Sequence, residues 1–336
     1  GDIGRGRFRL LEEFRLLDLS KGEKKVSANM LLDLDNIFSN DALTFVDALN
    51  DLDFYLSGKV QVAIDTNRVK VDLKENTLFK NLMFGKSKAK PLFKINEGTL
   101  KKGSSIFARY RGNTDLNLSM SFGTSEIKAK GWINKEKLSI NYASAQFRLG
   151  DVGPVAGVDL QGVGRIDGSV QGKLSKLVFK TDLAKSKAGV LGFYLNNINA
   201  KTEYHLKDNT LIIKKIIGQH KSVNYITSGF FRFSDDEKFK LNVDIKNGRY
   251  ADLAKVLSPI LKEAKEITDK LEMRSFVQAN ATVAGTFDVD KITANGKISA
   301  KSLSIYGEDV EYINTPFSLD NNTVAFKKIS GKKSSG

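Results

Sequence analysis

The sequence predicts a mainly β protein, and three observations carry the prediction. Apolar and polar residues alternate with period two over many short stretches. Val, Ile, Leu and Phe runs are punctuated by Asn, Asp, Gly and Lys, and the 336 residues hold 28 Gly but only 4 Pro. Residues 168–222 recur as residues 281–335 at a constant offset of 113. Repetition on that scale marks a chain that grows by adding similar units, not one built around a single pocket.

Taken in order, the strands declare themselves by alternation. Val60, Val62 and Ile64 share a face, and Val69, Val71 and Leu73 continue it after Asp65-Thr66-Asn67, a hairpin turn. Leu116, Leu118, Met120 and Phe122 alternate with Asn117, Ser119 and Ser121. Phe239, Leu241, Val243 and Ile245 alternate with Lys240, Asn242 and Asp244, and Ala279, Ala281, Val283, Gly285 and Phe287 follow the same rule. Each strand therefore has one apolar and one wet face, as an antiparallel sheet with one solvated side requires.

Two stretches change period. Residues 40–50 carry Leu43, Phe45, Val46 and Leu49 behind a cap at Ser39 or Asn40. Residues 251–272 place Leu253, Val256, Leu257, Ile260, Leu261, Ala264, Ile267 and Leu271 at helical spacing. Ser258-Pro259 inside that run reads as an N-cap followed by a first helical proline, so two helical pieces with a bend are expected.

The repeat is densest where Leu206, Asn209, Thr210, Lys214, Lys215, Ile216, Gly218 and Ser222 return as Leu319, Asn322, Thr323, Lys327, Lys328, Ile329, Gly331 and Ser335. Gly131-Trp132-Ile133 before Leu138-x-Ile140 likewise resembles Gly229-Phe230-Phe231 before Phe239-x-Leu241. These phases suggest a lead-in segment (1–30), a first unit (31–150), a second (151–249) and a partial third (250–336) in one continuous sheet. The third copy stops where the second continues, as a segment of something longer would.

Composition excludes several functions. No cysteine is present, so disulfides, thiolate chemistry and Cys-rich zinc sites are absent. No run of about 18 apolar residues would span a bilayer as a helix. The net charge is +14, but only 12 of the 53 basic residues are Arg. Nucleic-acid readers favour Arg forks, so Lys spread along strands points to solvated faces and guarded edges, with some attraction for anionic surfaces. No nucleic-acid partner is expected.

The candidate chemical motifs read as structure. Gly162-Val163-Gly164-Arg165-Ile166-Asp167-Gly168 has phosphate-loop glycines at the wrong spacing and no following helix, so turn and bulge glycines are expected. His205 and His220 are the only histidines, and the offset of 113 pairs His205 with Ser318, which argues against a general base or metal ligand. Asp33/Asp35, Asp51/Asp53 and Asp235-Asp236-Glu237 lack calcium-loop spacing; the last lies between Phe233 and Phe239 and reads as a hairpin tip. Asp208-Asn209-Thr210 reads as an Asx turn, and Ile216-x-Gly218 and Ile329-x-Gly331 as bends that end strands. No catalytic residue, metal or cofactor is expected.

The succession Val170-x-Gly172-x-Leu174, Leu195-Asn196-Asn197-Ile198-Asn199-Ala200, Asp208-Asn209-Thr210-Leu211-x-Ile213-x-x-Ile216-x-Gly218 and Ser228-Gly229 resembles the AsmA-like superfamily, especially TamB-like proteins. Val283-x-Gly285, Glu311-Tyr312-Ile313-Asn314, Asn322-Thr323-Val324 and Ile329-x-Gly331 repeat the pattern. The resemblance covers about 160–336 well and 30–150 loosely. It implies an extended antiparallel sheet folded into a taco-like groove, with a few short amphipathic helices. It also implies a non-enzymatic, periplasmic role in a diderm bacterium, carrying phospholipid between the inner and outer membranes. An inner-membrane anchor outside this chain, an outer-membrane assembly partner and neighbouring segments of the same long protein belong to that picture.

The residues themselves leave two arrangements open. One apolar face can hold acyl chains, at about 0.8 kcal/mol per buried CH₂. Two apolar faces can instead bury each other in a sandwich or barrel; that would make a scaffold with a filled core, binding protein or polyanionic partners. Groove candidates are Val60, Val62, Ile64, Val69, Val71, Leu73, Leu116, Leu118, Met120, Phe122, Phe239, Leu241, Val243, Ile245, Val283 and Phe287.

Overall fold

The computed structural model describes residues 2–3, 6–11, 28–39, 52–74, 76–84, 93–109, 112–134, 136–152, 160–190, 193–233, 238–249, 252, 271–273, 276–286, 291–305, 308–320 and 323–333. The chain forms two compact units, Gly1–Lys180 and Thr181–Gly336. Nearly every described residue lies in an antiparallel strand or a tight turn.

The first unit is a meander. Its strands are β1 (Asp2–Ile3), β2 (Gly6–Leu10), β3 (Ala28–Phe38), β4 (Leu52–Asp65), β5 (Arg68–Leu73), β6 (Thr77–Phe84), β7 (Phe93–Leu100), β8 (Ser105–Arg109), β9 (Thr114–Phe122), β10 (Ser125–Ile133), β11 (Lys137–Arg148) and β12 (Leu160–Lys173). From β1 to β4 each strand pairs with its successor. β5 and β6 then lie end to end along β4, and β8 and β7 lie against them in turn. β9 pairs with both of these, and β10, β11 and β12 follow one another. Asp65-Thr66-Asn67 makes the expected hairpin between β4 and β5, with the Asp65 carboxylate accepting the Thr66 N–H at 2.7 Å.

The second unit repeats the plan. β13 (Val178–Val190) is followed by β14 (Phe193–His205), β15 (Thr210–His220), β16 (Val223–Arg232), β17 (Lys238–Arg249), β18 (Leu271–Met273), β19 (Phe276–Gly285), β20 (Thr293–Ile305), β21 (Glu308–Asp320), β22 (Thr323–Phe326) and β23 (Ser330–Lys333). The pairing runs β14–β15–β16–β17–β19–β20–β21. β18 extends the line of β19 along β20, and β22 and β23 lie end to end along β21.

In several strand pairs three steps along one strand oppose two on its partner, a β-bulge, and three of these bulges lie just before a longer connection. In β3–β4 the bulge lies between Leu34↔Gly58 and Ile37↔Leu56. In β11–β12 it lies between Ser144↔Ile166 and Phe147↔Gly164, and in β17–β19 between Ile245↔Ala279 and Gly248↔Val277. The bulged strands end at Phe38, Arg148 and Arg249, and a longer connection follows each. Asn36 and Asn247 sit inside two of these bulges with φ of 54°, and Asn81 and Asn197 occupy other bulges with φ of 51°. Asn tolerates this left-handed geometry better than other residues with a Cβ, so it lets the strand kink locally.

Glycines opposite aromatic rings form a second recurring device. A Cβ on Gly168 would come within 2.4 Å of the Tyr142 ring, and one on Gly98 within 2.4 Å of the Phe79 ring. Phe317 covers Gly296 in the same way. Each pair is directly opposite across two strands, so the ring fills the space the glycine leaves.

Several expectations are corrected. The helical stretches 40–50 and 251–272 lie outside the described residues except at Asp252, Leu271 and Glu272, and the last two are strand. The glycine-rich run 162–168 lies wholly within β12, so its glycines make no turn. The bulge part of the reading holds: Gly164 stands at the β11–β12 bulge and Gly162 has a φ of 131°. Gly218 does not end its strand, since β15 runs on to His220; the irregularity falls earlier, between Ile213 and Ile216. Its counterpart at offset 113 is the gap between β22 and β23. Strand pairing also revises the partner of His205. Thr210 and Thr323 correspond, but His205 pairs with Thr210 and Asp320 with Thr323, so His205 matches Asp320 and not Ser318. The cause is a turn two residues longer after β14 than after β21.

Candidate functional site

Directly opposed residues of an antiparallel pair share a face, so the registers assemble side chains into rows across each unit. In the first unit one row runs Met30, Val62, Val71, Ile106, Leu116, Gly131, Ile140 and Val170, one residue from each of eight strands. Every member is apolar, and every member is only partly buried. The adjoining row on the other face reads Leu31, Gln61, Asp72, Ser105, Asn117, Lys130, Asn141 and Ser169, polar in every member after Leu31. The sheet is thus two-sided in chemistry, and its apolar side keeps solvent contact along the middle of the strands.

The second unit has matching rows. Ala200, Ile216, Thr227, Val243, Ala281, Gly296, Phe317 and Phe326 form one, and Thr202, Ile213, Gly229, Leu241, Val283, Ala294, Leu319 and Val324 the next. The polar side carries Ser228, Asn242, Thr282, Asn295 and Ser318, with the Thr282 hydroxyl donating to Asn242 Oδ1 at 2.9 Å.

Most sequence candidates fall on these faces. Val62, Val71 and Leu116 share the central row of the first unit, and Leu241 and Val283 are opposed in the second. Val60, Leu73 and Phe122 are buried, so little of their surface meets solvent. Val69 is 36% exposed, one residue into β5 beside the hairpin. Ile64, Leu118, Met120, Phe239, Val243 and Ile245 are partly buried, and Phe287 lies outside the described residues. Met30, Ile106 and Val170 were not among the candidates. Ile106 sits in a five-residue strand, too short for alternation to declare it.

The bulged ends hold some of the most deeply buried side chains, while Val60, Leu73, Ile133 and Leu138 are buried elsewhere along the strands. Phe122 packs edge-on against Phe147 with ring centroids 6.3 Å apart, beside Ser125 and Val152. In the second unit Val223, Val277 and Ala300 are the counterpart, with Ile245, Ile298, Val310 and Ile313 around the last two.

A carboxylate fastens each of these ends. Asp151 accepts from the Ser125 hydroxyl at 2.8 Å and the Thr124 N–H at 2.9 Å, and the Ser125 oxygen accepts the Arg148 N–H at 2.8 Å. Asp252 accepts from the Ser222 hydroxyl at 2.7 Å, and the Ser222 oxygen accepts the Arg249 N–H at 3.1 Å. The Ser222 hydroxyl holds the Asp252 carboxyl below its ordinary range, and Lys221 adds to the effect.

The opposite end of the second unit is aromatic. Phe231 lies 5.7 Å from Phe239 and 6.4 Å from Phe233, ring to ring. Tyr204 donates to Asn209, whose amide donates to the Phe233 carbonyl at 2.7 Å. Asn209 has a φ of 47° at this turn, a geometry Asn tolerates. Burial pushes the Tyr204 and Tyr225 phenols up to about 12, helped at Tyr225 by the negative Asp252.

His205 lies 3.6 Å from Glu203, which also meets Lys214 at 3.4 Å. No hydroxyl nucleophile is hydrogen-bonded to that histidine among the contacts described. Among the described residues no group of three His, Cys, Asp or Glu is arranged to hold a metal.

No protein-family model and no curated protein matches the sequence. Among solved structures the chain is similar to OccK3 (OpdO) of Pseudomonas aeruginosa, with 9% identity over 94% of this chain and 89% of that one. The TM-score is 0.16, an overlap too slight to bear on fold or function.

Proposed function

We propose that the apolar faces hold phospholipid acyl chains, making this chain a non-enzymatic segment of a lipid conduit between the inner and outer membranes of a diderm bacterium. The observation that carries the reading is the central row from Met30 to Val170, apolar in eight strands and partly open in all of them. In a sandwich a second sheet about 10 Å away would close off such a row. An acyl chain laid along it would recover about 0.8 kcal/mol per CH₂ buried. Lys-rich strands on the other side suit a segment passing anionic headgroups.

The periplasmic setting, an anchor elsewhere and an assembly partner at the outer membrane rest on the TamB-like resemblance of the turn and glycine pattern. Native mass spectrometry of protein purified without detergent tests the reading. Co-purifying phospholipid is expected, and it should be lost on Leu118→Glu or Val243→Glu while the strand content is kept. A lipid-free particle, or variants that unfold instead of losing lipid, would favour a scaffold with a filled core.

A further inference from the structure

The chain has a single tryptophan, and it stands on the polar side of the first unit. Beside the row from Leu31 to Ser169, the same face carries Lys70, Phe107, Asp115, Trp132, Ser139 and Gln171 in direct opposition. Trp132 is partly buried there, and its indole N–H donates to none of the described residues. Buried tryptophans usually bond that N–H, whereas this one keeps it available. Phe107 is not open in the same way, because the Arg109 guanidinium lies 4.9 Å over its ring.

Along β10 the face continues from Trp132 to Lys130 and Lys128. A shallow depression of about 500 Å³ opens there, and Asn117, Lys128, Lys130, Asn141 and Asp167 help to line it. Two to four residues of strand separate it from Trp132, roughly 7–13 Å, room for a short oligosaccharide. The Asn141 and Gln171 amides are exposed and bond none of the described residues, so both donors and acceptors are free.

The charges leave this depression positive. Asp167 is paired with Arg165 at 2.7 Å and Asp115 with Arg109 at 2.9 Å. Glu126, two residues before Lys128, is bonded to Lys101 at 2.6 Å. Lys128 and Lys130 are exposed and have no ion pair among the described residues. The second unit has a smaller depression of the same make on its polar side, with Lys246, Lys297, Gln278 and Asn280 around it.

We propose that this face of the first unit binds an acidic polysaccharide. One sugar ring lays its C–H bonds on the negative face of the indole, and hydroxyls bond Asn141 and Gln171. A sugar carboxylate meets Lys128 and Lys130. A nucleic-acid strand needs cations along its whole backbone, and this face offers two between neutralised carboxylates. The inference is independent of the lipid reading, which concerns the opposite face of the sheet.

Because Trp132 is the chain's only tryptophan, its emission reports binding directly. The test titrates the full chain with a galacturonic acid hexamer, a neutral glucose hexamer and a single-stranded oligothymidylate. Galacturonate should shift the emission saturably and bind at least tenfold tighter than the neutral hexamer. Lys128→Gln/Lys130→Gln should weaken that binding at least tenfold and leave the thermal midpoint unchanged, since both side chains are exposed. Trp132→Ala, followed by calorimetry, should weaken it to a similar degree. No saturable shift with galacturonate, unchanged binding by either folded variant, or equally tight binding of oligothymidylate overturns the proposal.

Discussion

The middle of the strands and their bulged ends are built from similar residues yet are buried to different degrees. Phe122 and Val277 at the ends are 2% and 1% exposed, while all eight members of the central row in the first unit stay partly open. At the ends a bulge bends the strand, a longer connection begins, and a carboxylate ties the turn to the bend. Tight packing at the irregular ends is thus compatible with a central row whose apolar surface stays accessible, although Val60 and Leu73 in the regular part are buried.

The sharpest way to break this contrast is a paired truncation. Phe122→Ala should cost about 3–5 kcal/mol in denaturant unfolding, as for a closed aromatic core site. Leu116→Ala, in the open row, should cost about 1 kcal/mol, since less area leaves water on folding. Equal losses would mean that the central row is as tightly packed as the ends. Next in size, Asp151→Ala should lose about 1.5–3 kcal/mol, the range for hydrogen bonds to a charged acceptor. Asp151→Glu should recover little, because the Ser125 and Thr124 donors are fixed by the hairpin.

The alkaline limb is sharper in direction than in size. Tyr225 titrates at about 12 in the fold against an ordinary value of 10.0. Its contribution is whole below the ordinary value and is lost as pH rises through the folded one. Stability should thus fall between pH 10 and 12, and Tyr225→Phe should flatten that fall in a urea-midpoint series. The smallest effect belongs to the acid limb. Asp252 is depressed below 3.8, so its contribution is present above that value and lost as pH falls through the folded one. Asp252→Asn should remove this component and, by taking away the charge that helps hold the Tyr225 phenol up, also soften the alkaline limb slightly, which a pH series of thermal midpoints would reveal.

Alternation made the strands legible because a period of two is local. Leu116–Phe122 and Phe239–Ile245 lie in strands with the predicted residues on one face. The rows were not legible, because a row is defined by register between strands that only turns and bulges set. The repeat shows the limit. An offset of 113 is right for β15 against β22–β23, yet β14 and β21 are related by 115, so residue matching alone misassigned the partner of His205. The fastening role of Ser222 and Asp252 was hidden for the same reason. They are 30 residues apart, and nothing in either neighbourhood announces the contact.

The meander has a kinetic consequence. Within each unit nearly every strand pairs with one reached through a short connection, so little loop entropy is spent before a contact is gained. Such a sheet can begin at any hairpin and lengthen in both directions, without waiting for distant segments to meet. The three bulged pairs that are joined through a longer connection interrupt that ease, because the connection must close before their strands pair. Folding should advance in bursts between them, and amide exchange should report blocks of protection whose borders fall at Phe38, Arg148 and Arg249.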